Sequence, residues 1–178
     1  MLADSNNTYG SVTKWFHWVI ALAIIAMLIL GFTLGFVNGS TFKAVMFVHK
    51  SLGVTILALM VMRLIWRCCN QKPAYPSSMT TFEKIMAHGM VWLLYVLIFS
   101  MLAAGLLTVA YHGMGVSVWN WFTIHFPMAA NKSLSHFFSN THSFLAWVIL
   151  VCIGLHIAAA LYHHFIRKDN IVKRMTSG

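Results

Sequence analysis

Four stretches of this 178-residue chain are each long and apolar enough to cross a lipid bilayer, and no other feature limits its fold so severely. They run over about Trp15–Val37, Ala44–Trp66, Phe82–Tyr111 and Thr141–Ile166. Hydrocarbon holds no water to satisfy a bare N–H or C=O. A spanning segment must therefore close its hydrogen bonds within itself or within a barrel, and apolar runs of about 20 residues select the helix. Short connections let each helix reach only a neighbour. The expected fold is an all-α membrane protein, a four-transmembrane-helix antiparallel bundle, in a single domain over 1–178. Hydrophobic residues at 60 % and charged residues at 8 % exclude an ordinary soluble domain.

The formal charge of +9 rests on twelve Lys and Arg against three acidic residues. In a soluble chain that excess would point to nucleic acid. Here the cations flank the apolar stretches, so they report topology in lipid and argue against a nucleic-acid partner. Arg63, Arg67, Lys72 and Lys84, with Arg167, Lys168, Lys173 and Arg174, fall on the side of the N-terminus, whereas the opposite loops hold Lys43, Lys50 and Lys132. Both termini are expected in the cytoplasm. Met1–Lys14 lacks the cationic start and small-residue cleavage site of a secretory signal, so the first span is expected to be retained. Cys68, Cys69 and Cys152 form no disulfide framework, and the lack of a C-x-x-C-H motif excludes covalent c-type haem attachment. Pro73 and Pro76 mark a short inner connector. The outer loop His112–Asn140, with Trp119, Trp121 and Phe122, is expected to lie at the membrane surface and cap the outer end.

Ten histidines is many for such a chain, and a polar ring at membrane depth usually marks function. His142 and His156 lie fourteen residues apart, which puts them on one helix face about 21 Å apart along the axis. His17 opens the first span and His49 the second. Following the alternating direction of the helices, His17 and His156 share the inner depth, and His49 and His142 share the outer. Each pair joins two helices and offers two imidazoles, as axial ligation of a haem within a bundle requires. The expectation is two haem b groups, His17 with His156 and His49 with His142. Filled axial positions suit electron transfer rather than oxygen binding. Arg63, fourteen residues after His49, is placed to pair with a propionate of the inner haem or to act as a topological anchor. Gly53 leaves room for a macrocycle, while Gly31 and Gly35 fit small-residue helix packing.

Phe16-His17-Trp18, the run His49-Lys50-Ser51-Leu52-Gly53, Met62-Arg63-Leu64, and Gly154-Leu155-His156 continuing to His163-His164 carry a resemblance over nearly the whole chain. In these motifs the chain resembles the bacterial cytochrome b561 family of small four-helix di-haem membrane proteins, nearest to its superoxide-oxidising branch. The family's axial ligands fall on His17, His49, His142 and His156. Where the family pattern has a second histidine one turn after His88, this chain has Val91.

The resemblance implies a multi-pass protein of the bacterial inner membrane that passes electrons from periplasmic superoxide to ubiquinone and releases dioxygen. A mouth bearing Lys43, Lys50, Lys132, His125 and His136 would steer an anion such as superoxide. Quinone reduction also needs protons, for which His163, seven residues past His156, and His88 are the candidates. One alternative is a haem-bearing anchor that relays electrons between a redox protein partner and the quinone pool. A more remote one is a copper- or zinc-handling membrane protein, which would need ligand clusters one turn apart.

Overall fold

The structure, a computed structural model, describes residues 1–176. Four long helices run α1 (Ser11–Thr33), α2 (Gly39–Cys69), α3 (Thr81–Tyr111) and α4 (Lys132–Leu161). A short hairpin of β1 (Val116–Val118) and β2 (Phe122–Ile124) lies between α3 and α4, and a small helix α5 (Ile171–Thr176) closes the chain. All four long helices are long and apolar enough to cross a membrane. This is the expected four-helix bundle. α1 packs along α2 and α3 along α4, with α2 and α3 joining the two pairs. Phe16, Ile20, Ile56, Met60 and Tyr95 form the buried core where α1, α2 and α3 meet. Large apolar side chains such as Leu22, Ile29, Phe144 and Trp147 stay exposed, as a lipid-facing surface allows.

Several boundaries differ from the sequence expectation, and α1 lies four residues earlier at both ends. α2 is longer at both ends, and α4 begins at Lys132 rather than near Thr141. Its first turns are too polar to read as membrane span, but they are tied down. Asn131 caps the helix by accepting from the Leu134 N–H at 3.1 Å, and the Ser135 hydroxyl donates to the Thr108 carbonyl at 3.0 Å. α3 starts within a residue of expectation because Thr80 and Glu83 form a reciprocal capping box. Past Leu161, α4 widens into a π-helical turn over Tyr162–Arg167 and stops at Lys168, which has a left-handed backbone with φ of 53°.

The end of the bundle that holds both termini is sealed by the chain itself. Asp4 accepts from the Gly10 N–H at 2.7 Å and from the Thr13 hydroxyl at 3.0 Å. A side chain at Gly10 would sit 2.2 Å from the Leu2 carbonyl, so the folded-back N-terminal segment requires glycine there. The indole of Trp66 donates to Thr13, and that of Trp18 to the Met175 carbonyl, both at 2.9 Å. Arg174 donates to the Ala74 carbonyl at 2.5 Å, and Arg167 to the Ser78 carbonyl and to Glu83. Burial pushes the Tyr9 phenol above its usual pKa, an effect that the Arg67 charge opposes, so Tyr9 remains an O–H donor at neutral pH.

At the other end the loop folds into a hairpin docked on α2. Trp119 and Asn120 both have positive φ, 50° and 60°, and the Trp121 N–H closes the turn on the Val118 carbonyl at 2.9 Å. A tryptophan with positive φ is uncommon, and here it is held on α2. Its N–H donates to the Ser51 hydroxyl at 3.1 Å and its indole N–H to the Thr55 hydroxyl at 3.0 Å. Ser51, fully buried, donates in turn to the Ser117 carbonyl at 3.2 Å. Of the aromatic cluster, Trp119 faces α2 while Trp121 and Phe122 are exposed.

Candidate haem sites

The four histidines singled out in the sequence meet in the two expected pairs. The rings of His17 on α1 and His156 on α4 have centroids 6.4 Å apart, and those of His49 on α2 and His142 on α4 are 6.0 Å apart. An imidazole nitrogen binds a metal at about 2.0–2.1 Å, and the ring centre lies about 1 Å further out. Two imidazoles on opposite faces of one ion therefore hold their centres about 6 Å apart, as both pairs do. Among the described residues no three His, Cys, Asp or Glu side chains gather to hold a metal by themselves. A two-donor site suits an ion whose other ligands come from a macrocycle, and it does not suit a bare copper or zinc ion.

The His49–His142 pair, called outer after the orientation expected from the flanking charges and its counterpart inner, lines a cavity of about 570 Å³ between the two halves of the bundle, within the range of sites that enclose small-molecule ligands. Gly31, Gly35, Gly53 and Gly105 all border it. A side chain at Gly105 would lie 3.0 Å from the His142 ring, and one at Gly31 would lie 3.4 Å from the His49 ring. Gly31, read from sequence as helix packing, therefore makes room for a histidine. His142 Nδ1 lies 2.9 Å from the Met101 carbonyl; the N–H must be on that nitrogen, which leaves Nε2 as the free lone pair. His49 Nδ1 is buried with no partner among the described residues. Lys50 and Val116 of the hairpin reach the same cavity, the first bringing charge and the second a cap.

The inner pair sits in a different setting. Arg63 Nη2 lies 3.1 Å from His17 Nδ1. Arginine has no acceptor, so His17 Nδ1 accepts this bond and its proton resides on Nε2. Arg63 thus touches a candidate ligand directly, closer than the propionate role expected of it. Around it, Arg63 and Arg67 stand over the Tyr95 ring at 5.7 and 5.8 Å, and Arg67 and Lys72 stand over the Trp92 ring, both at 5.8 Å. The residue in place of the family's second histidine, Val91, packs on the buried core instead.

The two proton candidates are not alike. His163 is half-buried in the π turn, and its Nδ1 lies 2.6 Å from Asp169 Oδ2, whose other oxygen accepts the Ile171 N–H at 3.1 Å. His88 is exposed and rests edge-on against Trp92. Asp169 lies in the Lys168-Asp169-Asn170 run that matches the family pattern, but the sequence assigns it no role; as one of only three acidic residues in the chain it was the signal to follow. At the outer mouth, Lys43, Lys132, His125 and His136 are exposed, and His136 is bonded to Asn140.

Comparison with known proteins agrees with this arrangement. The family described as prokaryotic cytochrome b561 matches residues 8–178. The chain is 32 % identical over 170 residues to cytochrome b561 homolog 2 of Escherichia coli (strain K12), covering 94 % of this chain and 90 % of that protein. It is 29 % identical over 169 residues to a probable superoxide oxidase of Yersinia pestis, covering 94 % of both chains. Cytochrome b561 homolog 1 of Escherichia coli is 26 % identical over 174 residues, 95 % of this chain and 97 % of its own. With four spanning helices and a match over almost its whole length, the chain belongs to the prokaryotic cytochrome b561 family, multi-pass inner-membrane electron-transfer proteins that bind haem b.

Proposed function

We propose that this protein is a di-haem b-type cytochrome that takes electrons from superoxide at the outer face and delivers them to ubiquinone near the inner face, releasing dioxygen. The observation that carries the reading is the presence of two histidine pairs at opposite ends of the bundle, each with the ring separation of a doubly ligated ion. His17 and His156 would hold the inner haem, with Arg63 beside it; His49 and His142 would hold the outer one. A bound haem supplies one-electron storage at each depth and, with both axial positions filled, no open position for oxygen. The choice of superoxide is supported by the name of the Yersinia pestis relative and by Lys50 at the cavity. The clustering of Arg63, Arg67, Lys72, Arg167 and Arg174 at the end that bears both termini supports a cytoplasmic placement of that end.

The reaction balances as two superoxide anions giving one electron each and leaving as dioxygen, while one quinone takes two electrons and two protons to become quinol. Lys50 attracts the anion, and the hairpin limits how much water reaches the outer histidines. His142, with its proton fixed toward Met101, presents one defined nitrogen to the site. His163 donates protons near the inner face, with Asp169 holding its Nδ1 and leaving Nε2 as the nitrogen that exchanges them. His88, exposed on α3 at the same end, is the second proton candidate. The test is a purified chain carrying two haems and no partner protein: it should convert superoxide to dioxygen with one quinol per two superoxide. A requirement for an added redox protein would instead favour a membrane anchor that relays electrons to quinone.

A further inference from the structure

We infer that Arg63, Arg67 and the Tyr95 hydroxyl form a carboxylate clamp at the inner end of the bundle, and that it takes the propionates of the inner haem. The clamp is argued from this chain's own residues, and the propionate as its ligand rests on the di-haem reading above.

Charge accounting comes first. Arg63, Arg67 and Lys72 border one small cavity, and among the described residues none of them has a carboxylate within ion-pair distance. The chain has three acidic residues, and each is committed elsewhere. Asp4 lies at the edge of this cavity but spends its oxygens on Gly10 and Thr13; Glu83 is bonded to Thr80 and Arg167, and Asp169 to His163 and Ile171. Cations gathered in a partly buried place call for an anion, and the acidic side chains of this chain have none to spare.

The second observation is an orphan. Tyr95, which borders the same cavity, is 5 % exposed, and among the described residues its hydroxyl has no hydrogen-bond partner; the buried Arg67 Nε also lacks one. Buried polar groups are nearly always satisfied, so a missing acceptor at this point is informative. Arg63 and Arg67 lie one turn apart on α2, both against the Tyr95 ring, and so present their donors together. The cavity itself measures about 20 Å³. That is room for little more than a water-sized group. The end of a larger molecule reaching in from the neighbouring His17 site fits it better than a whole free acid.

The third observation explains how Arg63 joins. Its bond to His17 requires an unprotonated Nδ1. An imidazole that gives Nε2 to iron keeps its proton on Nδ1, where Arg63 would then meet a donor. Ligation at His17 would therefore release the Arg63 guanidinium to hold a propionate beside Arg67 and Tyr95.

The experiment is a potentiometric titration of purified two-haem protein, followed by the haem absorbance, with haem counted per chain. Arg67→Gln and Tyr95→Phe should each lower the midpoint of one haem and leave the other unmoved, Arg67→Gln by more. The lowered haem should be the one lost in His17→Ala. Arg67→Lys should recover part of the shift, and the exposed Lys173→Gln should shift neither haem. Loss of the inner haem alone in Arg67→Gln supports the clamp equally; should that variant lose both haems, the near-isosteric Tyr95→Phe decides. Repeating the wild-type titration in acetate and chloride at equal ionic strength separates the sources, since a resident propionate leaves the midpoint indifferent to acetate. An inner midpoint unmoved in Tyr95→Phe and Arg67→Gln overturns the clamp. An acetate-dependent wild-type midpoint that loses this dependence in Arg67→Gln overturns the propionate and assigns a soluble anion. A wild-type count of one haem per chain fails the di-haem reading itself, which is a separate result.

Discussion

The two histidine pairs occupy different electrostatic environments. The outer pair faces a large, mostly apolar cavity relieved by glycines, with one lysine at its border and a hairpin over it. The inner pair lies beside Arg63, which borders a small cavity with Arg67, Lys72 and, from the N-terminal segment, Asp4 and Tyr9. Positive charge favours the reduced form of a nearby iron because reduction removes one positive charge from the site. In the proposed reaction this difference favours electron flow from the pair beside the cavity toward the pair beside Arg63, the end of the bundle at which His163 lies.

The largest break in this comparison comes from the ligands. His49→Ala or His142→Ala should remove one haem, and His17→Ala or His156→Ala the other, read as haem per chain and as two distinct reduced-minus-oxidised spectra. Any other combination of losses breaks the pairing. Next in size is the proton step. His163→Ala should leave both haem spectra intact yet slow quinol formation by about 10²–10⁴-fold, the usual contribution of a general acid. Asp169→Asn should give a smaller loss of the same kind, and an unchanged quinone rate in both variants would remove the pair from the mechanism.

Smaller effects test the outer end. Ser51→Ala strands the Trp119 N–H and the Ser117 carbonyl, at a cost of about 1–3 kcal/mol. A lowered melting temperature, with faster bleaching of the outer haem by aqueous oxidants, would show that the hairpin shields that site; an unchanged melting curve would mean that the hairpin is only loosely held. Smallest is the steering term. Lys50→Gln should reduce the superoxide rate several-fold at low ionic strength and hardly at all at high salt, since a Debye length of about 8 Å already screens such attraction near 0.15 M. A rate insensitive to salt in the wild type would remove Lys50 from this role.

Much of the site was readable from the chain because a helix converts spacing into direction. His142 and His156 fall on one face by counting, and the antiparallel order of the spans sorts His17 and His49 to their depths. What counting cannot reach is any contact whose partners are distant in sequence and whose geometry is not periodic. Asp169 meets His163 only because α4 opens into a π turn and ends in a left-handed residue. The hairpin was invisible because its turn uses Trp119 and Asn120 where glycine would ordinarily mark it. The polar first turns of α4 were hidden by their composition and stabilised by bonds to α3.

The sequence by itself determined the bundle, its four spans and the four histidines, since lipid admits few folds and places a high cost on a polar ring at depth. The tertiary structure alone decided how the two ends differ. Arg63 on His17, the Tyr95 hydroxyl left without a partner among the described residues, and Gly105 against His142 each depend on which helix faces pack together. That choice is made by packing between helices, a relation that no single helix's periodicity contains.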